Sequence, residues 1–400
     1  WDTSKPTALY LPLGNSHDFC HPEALVYIDS TPIAARDCYH EEILIDKFYL
    51  DGNTHKLALY GWTGRGDSVR TVTDTQLLMK KCKLVQIHQP TRTFIAVARI
   101  ALETAANLEE NNPVKTNLLN GLNDAFNALN TAQQFGDNFY ASIPTAQKIL
   151  DTAIQNAGPA MNINIAAVGH SHIDVVWLWT LAQTRLKCGR SFHTVINLMN
   201  QFNDYIFTQS QPQLYDFVKE DYPQLFEEIK QKVKENKWEP IGGMWVEADC
   251  NITGPESLAR QFLLGRNFFK KHFKDKASPV LWLPDVFGYA HCLPQLIKLA
   301  ELDYLYTTKI CWNQYNRLPF ESFYWQGLDG TKILTYFGST KSEGDWQTST
   351  YNGHADPYEM LATWNLSQQK STHNEFMTCF GYGDGGGGPT RQMMENIELM

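Results

Sequence analysis

His172 and Asp174 stand two residues apart in the run Gly169-His170-Ser171-His172-Ile173-Asp174. In extended chain, alternate side chains share a face, so an imidazole and a carboxylate at this spacing can address one ion. Imidazole nitrogen with carboxylate oxygen suits Zn²⁺ and, less selectively, Mn²⁺ or Co²⁺. The same spacing also describes a hydrogen-bonded His–Asp pair with no metal. His170 could replace His172 as the ligand, or orient it from behind. The run follows Ile163 to Val168, which reads as a buried strand, so these side chains arrive where a strand gives way to a loop.

A second strand end delivers another carboxylate. Val280-Leu281-Trp282-Leu283 leads into Pro284-Asp285-Val286-Phe287-Gly288-Tyr289. A carboxylate among such apolar neighbours is costly unless paired or coordinated, the alternative being a surface-loop Asp. Asp285 is also the natural nucleophile candidate, because attack on an anomeric carbon needs a dry, shaped site. Gly381-Tyr382-Gly383-Asp384, with Gly385 to Gly388 and Pro389 behind it, follows a strand at Phe376 to Phe380. No Lys-Ser/Thr follows to make a phosphate loop. An Asp framed by glycines leaves room for a substrate beside it, as a general acid requires, and a flexible linker is the other reading. Gly243 to Asp249 adds Glu247 and Asp249 beside Trp245, which suits sugar hydroxyls and a sugar face, or an ordinary polar loop.

These residues need elements to hold them. At 400 residues the chain exceeds one typical core, and two or three domains are expected. Residues 1–90 carry short apolar runs at Ala8 to Leu11, Ala24 to Ile28, Ile43 to Ile45 and Leu57 to Tyr60, broken by turn residues, which predicts a small β-sandwich. Residues 91–160 turn helical, with Leu118, Leu122, Phe126 and Leu129 on one face, and read as a connector. Residues 161–400 alternate strand and helix. Strands are expected at Phe207 to Gln211, Trp238 to Gly243, Val280 to Leu283, Tyr304 to Thr307, Ile333 to Phe337 and Phe376 to Phe380. Leu214 to Asn236 reads as an amphipathic helix, and Thr253-Gly254-Pro255-Glu256 as a helix start. The fold class is therefore α/β with a mostly parallel sheet or barrel, whose ligands gather beyond the carboxyl ends of the strands.

Composition narrows the partners. A net charge of -9 and no basic stripe with interleaved aromatics argue against nucleic acid. No apolar stretch reaches the roughly 18 residues of a membrane span. The 8 cysteines form no C-x-x-C pair, which predicts free thiols in a reducing compartment. The 11 Trp and 18 Tyr furnish either a large aromatic core or stacking platforms for sugar rings.

Together the motifs resemble glycoside hydrolase family 38, the metal-dependent class II α-mannosidases. The matching pieces are His170-Ser171-His172-Ile173-Asp174 with Trp177, Trp282 to Tyr289, Gly383-Asp384 with its glycine tail, Gly242 to Glu247, and Thr308-Lys309 with Trp312-Asn313. Tyr10-Leu11-Pro12-Leu13 onward is similar to the extra β domain of the cytosolic and fungal vacuolar subgroup. The resemblance implies a seven-stranded α/β catalytic domain and a retaining mechanism. It implies that His172, Asp174 and Asp285 bind Zn²⁺ (Co²⁺ being compatible), and that this ion holds the 2- and 3-hydroxyls of mannose. Asp285 doubles as nucleophile, Asp384 serves as acid/base with Asp345 and Glu343 as weaker alternatives, Trp177 stacks on the sugar and Lys309 sits near its hydroxyls. Retention places the carboxyls of Asp285 and Asp384 about 5–5.5 Å apart.

The expected partner is a mannose-containing oligosaccharide in the cytoplasm or vacuole, with no nucleic acid and no membrane; a homo-oligomer is compatible with all of this. A further metal-binding His of the family, and its β-rich carboxyl-terminal domains, are expected beyond Met400, since His291, His354 and His373 lack the motif. Two rivals compete: a metal-dependent amidohydrolase or carbohydrate deacetylase, and a non-catalytic carbohydrate-binding protein. The first normally needs more strand-end His residues than appear here, and the second leaves the strand-end carboxylates unexplained.

Overall fold

The computed structural model describes residues 2, 4–13, 21–63, 80–313, 315, 316, 318–341 and 349–400. Its amino-terminal part is two small antiparallel sheets. β1 (Thr7–Tyr10) lies between β4 (Glu42–Leu44) and β6 (Lys83–Gln86), and β2 (Glu23–Ile28) between β3 (Thr31–Arg36) and β5 (Leu57–Trp62). Leu9 and Ile43 of one sheet share an apolar cluster with Val26, Ala34 and Leu59 of the other, which makes the pair a sandwich. β3 and β6 escape the sequence reading because neither is an apolar run. Pro32 sits in β3, which is tolerated there because β3 is an edge strand. Asp29 and Ser30, both at positive φ (49° and 68°), turn β2 into β3 as a primed hairpin turn requires.

Three helices follow: α1 (Gln89–Asn107), α2 (Pro113–Asn127) and α3 (Asp137–Ala157). Leu118 and Leu122 face a shared core with Phe94, Val97, Ile143 and Leu150, as the spacing predicts. Phe126 does not join it and is half exposed, lying edge-on to Phe94.

From Asn164 strand and helix alternate: β7 (Asn164–His170), α4 (Leu181–Met199), β8 (Phe207–Gln209), α5 (Pro212–Asp221), α6 (Pro223–Lys234), β9 (Trp238–Pro240), α7 (Pro255–Phe273), β10 (Val280–Trp282), α8 (Leu293–Leu299), β11 (Tyr304–Thr307), β12 (Ser322–Gln326), β13 (Lys332–Phe337), α9 (Pro357–Leu366), β14 (Glu375–Phe380) and α10 (Arg391–Leu399). The expected single helix over Leu214 to Asn236 is in fact α5 and α6. Pro223 disfavours helical geometry at Tyr222 (φ -136°, ψ 62°), and the chain bends there.

Seven of these strands are parallel. The ladders run β14-β7-β8-β9 and β10-β11-β13, with β12 antiparallel on the outer edge of β13. Two backbone bonds join the halves just beyond β9, from Gly242 N to Val280 O (3.0 Å) and from Ser278 N to Pro240 O (2.8 Å). At the other seam side chains replace the ladder. Met377 N donates to the Tyr336 hydroxyl (3.3 Å), Cys379 N donates to Thr340 Oγ1 (3.3 Å), and Thr340 and Thr378 share a hydroxyl bond (3.1 Å). The seven-stranded α/β unit is thus a ring with one side-chain seam. Inside it Ile241, Trp282, Tyr306, Tyr351 and Cys379 pack together, Trp282 stacked on Tyr306 at 4.0 Å. Outside, α4 to α7 bury Phe192, Phe207, Tyr215, Trp238 and Phe269 in the largest core. Among the described residues no helix is long and apolar enough to cross a membrane.

Gly265 lets α7 lie directly on the loop after β9, since a Cβ there would overlap the Gly243 carbonyl oxygen and crowd the Met244 and Trp245 backbone. Gly265→Ala, normally favourable in a helix, is therefore expected to destabilise by about 1–3 kcal/mol. A urea titration reads this as a lowered midpoint, and an unchanged or raised midpoint contradicts the packing.

Candidate active site

Strand ends build the site. β7 releases Ser171 to Asp174, the loop after β9 carries Glu247, β10 releases Asp285, β11 Lys309 and β14 Asp384. Parallel strands leave all these loops at one end of the ring, so residues more than 200 positions apart converge.

His170 is fully buried. Its Nδ1 lies 3.0 Å from the Thr208 carbonyl and its Nε2 accepts from the Trp282 indole at 3.3 Å. An indole N–H can only donate, so the proton of His170 resides on Nδ1. Burial pushes its pKa down to about 3, keeping it neutral. With both nitrogens engaged, His170 is a brace, and His172 is the imidazole that faces the carboxylates.

His172 is 2% exposed. Its Nε2 lies 3.4 Å from Asp174 Oδ1 and 3.7 Å from Asp285 Oδ2, while its Nδ1 lies 3.4 Å from Glu247 Oε2. One ligand atom each from His172, Asp285 and Asp384 fall within 4.8 Å of one another, which makes them the group able to hold a metal among the described residues. Asp174 borders the same nitrogen. Glu247 in turn accepts from Ser210 Oγ (2.6 Å), and its amide donates to Gln211 Oε1 (3.3 Å), whose own Nε2 donates to the Ile173 carbonyl (2.9 Å). Gln211 thereby ties the loop carrying Glu247 to the loop carrying His172.

The electrostatics follow from this crowding. Burial alone would lower the His172 pKa, but Glu247, Asp174 and Asp384 outweigh it and raise it to about 10. Burial raises Glu247 to about 7, with His172 and Ser210 offsetting part of the effect. Asp285 is raised too, by burial, with His172 and Lys309 opposing. Four carboxylates face one imidazole and one ammonium. Both His172 nitrogens are buried with no hydrogen-bond partner, a costly state that a cation at Nε2 would relieve. The donor set of one imidazole and several carboxylates fits a divalent ion.

Asp384 occupies left-handed backbone (φ 61°). Its Oδ1 accepts from the Tyr351 hydroxyl (2.8 Å) and from Asn352 Nδ2 (3.2 Å), and its carbonyl accepts from the Asp174 amide (2.8 Å). Gly386 N donates to the His172 carbonyl (3.1 Å). The glycine run is therefore a wall bonded to the His172 loop, not a linker. Gly383 is required there because a Cβ would strike Asn352 and the His172 side chain.

Lys309 Nζ lies 2.9 Å from Asp285 Oδ1 and 3.4 Å from the centre of the Trp312 ring, with Phe287 and Tyr351 also facing it. Trp177 is half exposed and edge-on to the buried Trp179, whose indole donates to the Asp174 carbonyl (3.2 Å). The structure thus brings His172, Asp174, Asp285, Lys309 and Asp384 together and leaves Trp177 open on the adjoining loop. Asp345 and Glu343 lie outside the described residues. His354 and His373 stand elsewhere, His354 ring against Tyr382 and His373 bonded to Thr372.

Sequence reasoning missed several partners. Glu247 was visible only as one of two loop carboxylates, and nothing local marks its burial. Tyr351 and Asn352 carried no signal, being well past the end of β13 at Phe337. Phe287 and Trp312 were legible as aromatics beside Asp285 and Lys309, without their shared contact.

Residues 162–400 match the family described as Glycosyl hydrolases family 38 N-terminal domain. The chain is 43% identical over 234 residues to Alpha-mannosidase G of Dictyostelium discoideum, covering 58% of this chain and 21% of that protein. It is 38% identical over 235 residues to Alpha-mannosidase of Saccharomyces cerevisiae, covering 58% and 21%. With Alpha-mannosidase 2C1 of Mus musculus it shares 32% identity over 338 residues, covering 84% of this chain and 31% of the relative. The chain therefore spans about a fifth to a third of the length of these relatives. A family match over more than half the chain, on the same loops that converge in space, has one reading: the chain belongs to glycoside hydrolase family 38.

Proposed function

We propose that this chain forms the catalytic site of a retaining, metal-dependent α-mannosidase that removes terminal α-mannose from oligosaccharides, in the cytoplasm or vacuole. The observation that carries the reading is the convergence of His172, Asp285 and Asp384 within 4.8 Å. Carboxylates with an oxygen each inside that span suit a retaining pair, whose carboxyls stand about 5–5.5 Å apart, better than an inverting pair at about 6.5–9.5 Å. The deacetylase reading loses its second imidazole, because both nitrogens of His170 are occupied.

His172, Asp174 and Asp285 would hold Zn²⁺, or Co²⁺. When bound, the ion supplies positive charge that neutralises the carboxylates and attracts the sugar hydroxyls. Asp285 attacks the anomeric carbon and forms a mannosyl ester, while Asp384 gives its proton to the departing glycosidic oxygen. Water then attacks the same carbon, Asp384 takes up its proton, and Asp285 is released. Lys309, 2.9 Å from Oδ1, opposes the upward push that burial gives the Asp285 carboxyl. Tyr351 and Asn352 fix the Asp384 carboxyl through Oδ1, leaving Oδ2 for proton transfer. Trp177 offers an indole face to the sugar ring, and Phe287 and Trp312 border the hydroxyls that Lys309 reaches.

The test uses the full-length protein with p-nitrophenyl α-mannoside. Hydrolysis is expected, abolished by a chelator and restored by Zn²⁺ or Co²⁺. Asp285→Asn is expected to lower kcat/KM by about 10³-fold or more, and Asp384→Asn by about 10²–10⁴-fold. Equal activity in wild type and Asp285→Asn, or none in either with metal present, rejects the assignment.

Metal binding should also release protons. Without metal, His172 keeps its proton near neutrality because its pKa stands at about 10. A cation at Nε2 must displace that proton, so about one proton per ion is expected to leave at pH 7, with affinity rising as pH rises. Calorimetry in buffers of different ionisation enthalpy measures this, and no release contradicts the raised pKa. In the metal-free protein the linkage acts in the other direction. Protonated His172 contributes its full stability below the unfolded value of about 6.5, and that contribution is lost as pH climbs through about 10.

A further inference from the structure

Behind the site lies a second group of buried charges, drawn from the β-sandwich and from α4. Glu23 opens β2, Asp37 follows β3, and Lys187, Arg190 and Ser191 share one face of α4. All four charged residues are at most 3% exposed. Arg190 pairs with Glu23 and lies 3.4 Å from Asp37, and Lys187 donates to Glu23 at 2.8 Å. Asp37 also accepts from His40 (2.8 Å).

From this cluster Arg190, Ser191 and His40 reach the glycine wall. Arg190 Nη2 donates to the carbonyl of Gly385, the residue after Asp384. Gly387 N donates to Ser191 Oγ (3.0 Å), and His40 Nε2 lies 3.0 Å from the Pro389 carbonyl. Tyr39 stacks on Tyr382 at 3.6 Å with the planes 9° apart. On the other side Lys187 lies 4.5 Å over Trp179, which bonds the Asp174 carbonyl. A fully buried ion cluster is a poor source of stability, since desolvation offsets most of its Coulomb gain. What it supplies is fixed geometry, and here the fixed object is the backbone on either side of Asp384.

We propose that the amino-terminal β-sandwich positions the acid/base: Glu23 and Asp37 lock Arg190 onto the Gly385 carbonyl, while Tyr39 and His40 brace Tyr382 and Pro389, so that Asp384 faces Asp285 at the correct distance. These are positioning residues, none of which touches substrate. The proposal rests on Asp384 being the proton donor of an α-mannosidase. Asp384 in left-handed backbone has no regular element to hold it, and the wall of glycines around it has no side chains of its own to pack. The sandwich supplies the carboxylates that hold Arg190 and the ring that stacks on Tyr382.

The experiment exploits leaving-group chemistry in the full-length protein. Cleaving an α-linked mannobiose needs a proton on a basic leaving oxygen, whereas 2,4-dinitrophenyl α-mannoside departs without one. Glu23→Gln removes the charge but keeps the shape, and Tyr39→Leu removes the stacked ring without touching the ion cluster, so a folded variant remains if the first is too unstable. Assayed well below its melting temperature, each is expected to lose about 10-fold or more in kcat/KM on mannobiose and less than about 3-fold in kcat/KM on the dinitrophenyl substrate, because kcat/KM reports the glycosylation step that alone differs between the two leaving groups. Equal losses on both substrates, the mark of a merely structural role, or no loss on either, overturn the proposal. Wild type that cleaves neither substrate overturns the α-mannosidase reading itself and this one with it.

Discussion

Negative charge held out of water around one imidazole is the constraint on which the site depends. Asp174, Asp285 and Glu247 all lie within 3.7 Å of a His172 nitrogen, and Asp384 joins the same group. At such distances in a half-dry site, like charges repel by several kcal/mol unless something positive intervenes. The protein supplies a protonated His172 and Lys309, and the geometry leaves His172 Nε2 pointing at the carboxylates. A divalent ion at Nε2 would offset the same negative charge in place of the proton. The carboxylates raise the pKa of His172, and burial raises those of Glu247 and Asp285.

Holding that charge in place requires a rigid frame, and the ring of seven parallel strands provides it. His172, Asp174, Asp285, Lys309 and Asp384 sit within four positions past a strand end, while Glu247 comes from farther along the loop after β9. The interior beneath is both apolar and polar. Trp282 stacks on Tyr306 for packing, while its indole N–H fixes the tautomer of His170. The one seam without a backbone ladder, between β13 and β14, lies on the path to Tyr351, Asn352 and Asp384. There the glycine wall takes its support from outside the ring, from the charges and rings of the β-sandwich and α4.

Much of this was legible from residues alone. The strands at Tyr304 to Thr307 and Phe376 to Phe380 follow from apolar runs between turn residues, and β-α alternation follows from their spacing. His172, Asp174, Asp285 and Asp384 stood out because hydrophilic groups at the ends of buried strands are hard to explain as core. β3, β6 and β12 did not stand out, since edge strands with polar or mixed residues lack the run that marks a buried strand. The break at Pro223 is present in the sequence but lies within an otherwise continuous amphipathic pattern.

Local chemistry by itself determined which residues could bind an ion or carry a proton, because side-chain type and strand-end placement are properties of short segments. Whether His170 or His172 faces the carboxylates was decided only by the tertiary structure, through the Thr208 carbonyl and the Trp282 indole. The burial of Glu247 against Nδ1, the hold of Tyr351 and Asn352 on Asp384, and the reach of Arg190 to Gly385 were decided there as well. Each depends on contacts between segments tens to hundreds of residues apart. A pairwise distance of that kind has no signature in any one stretch of chain until the ring of strands closes.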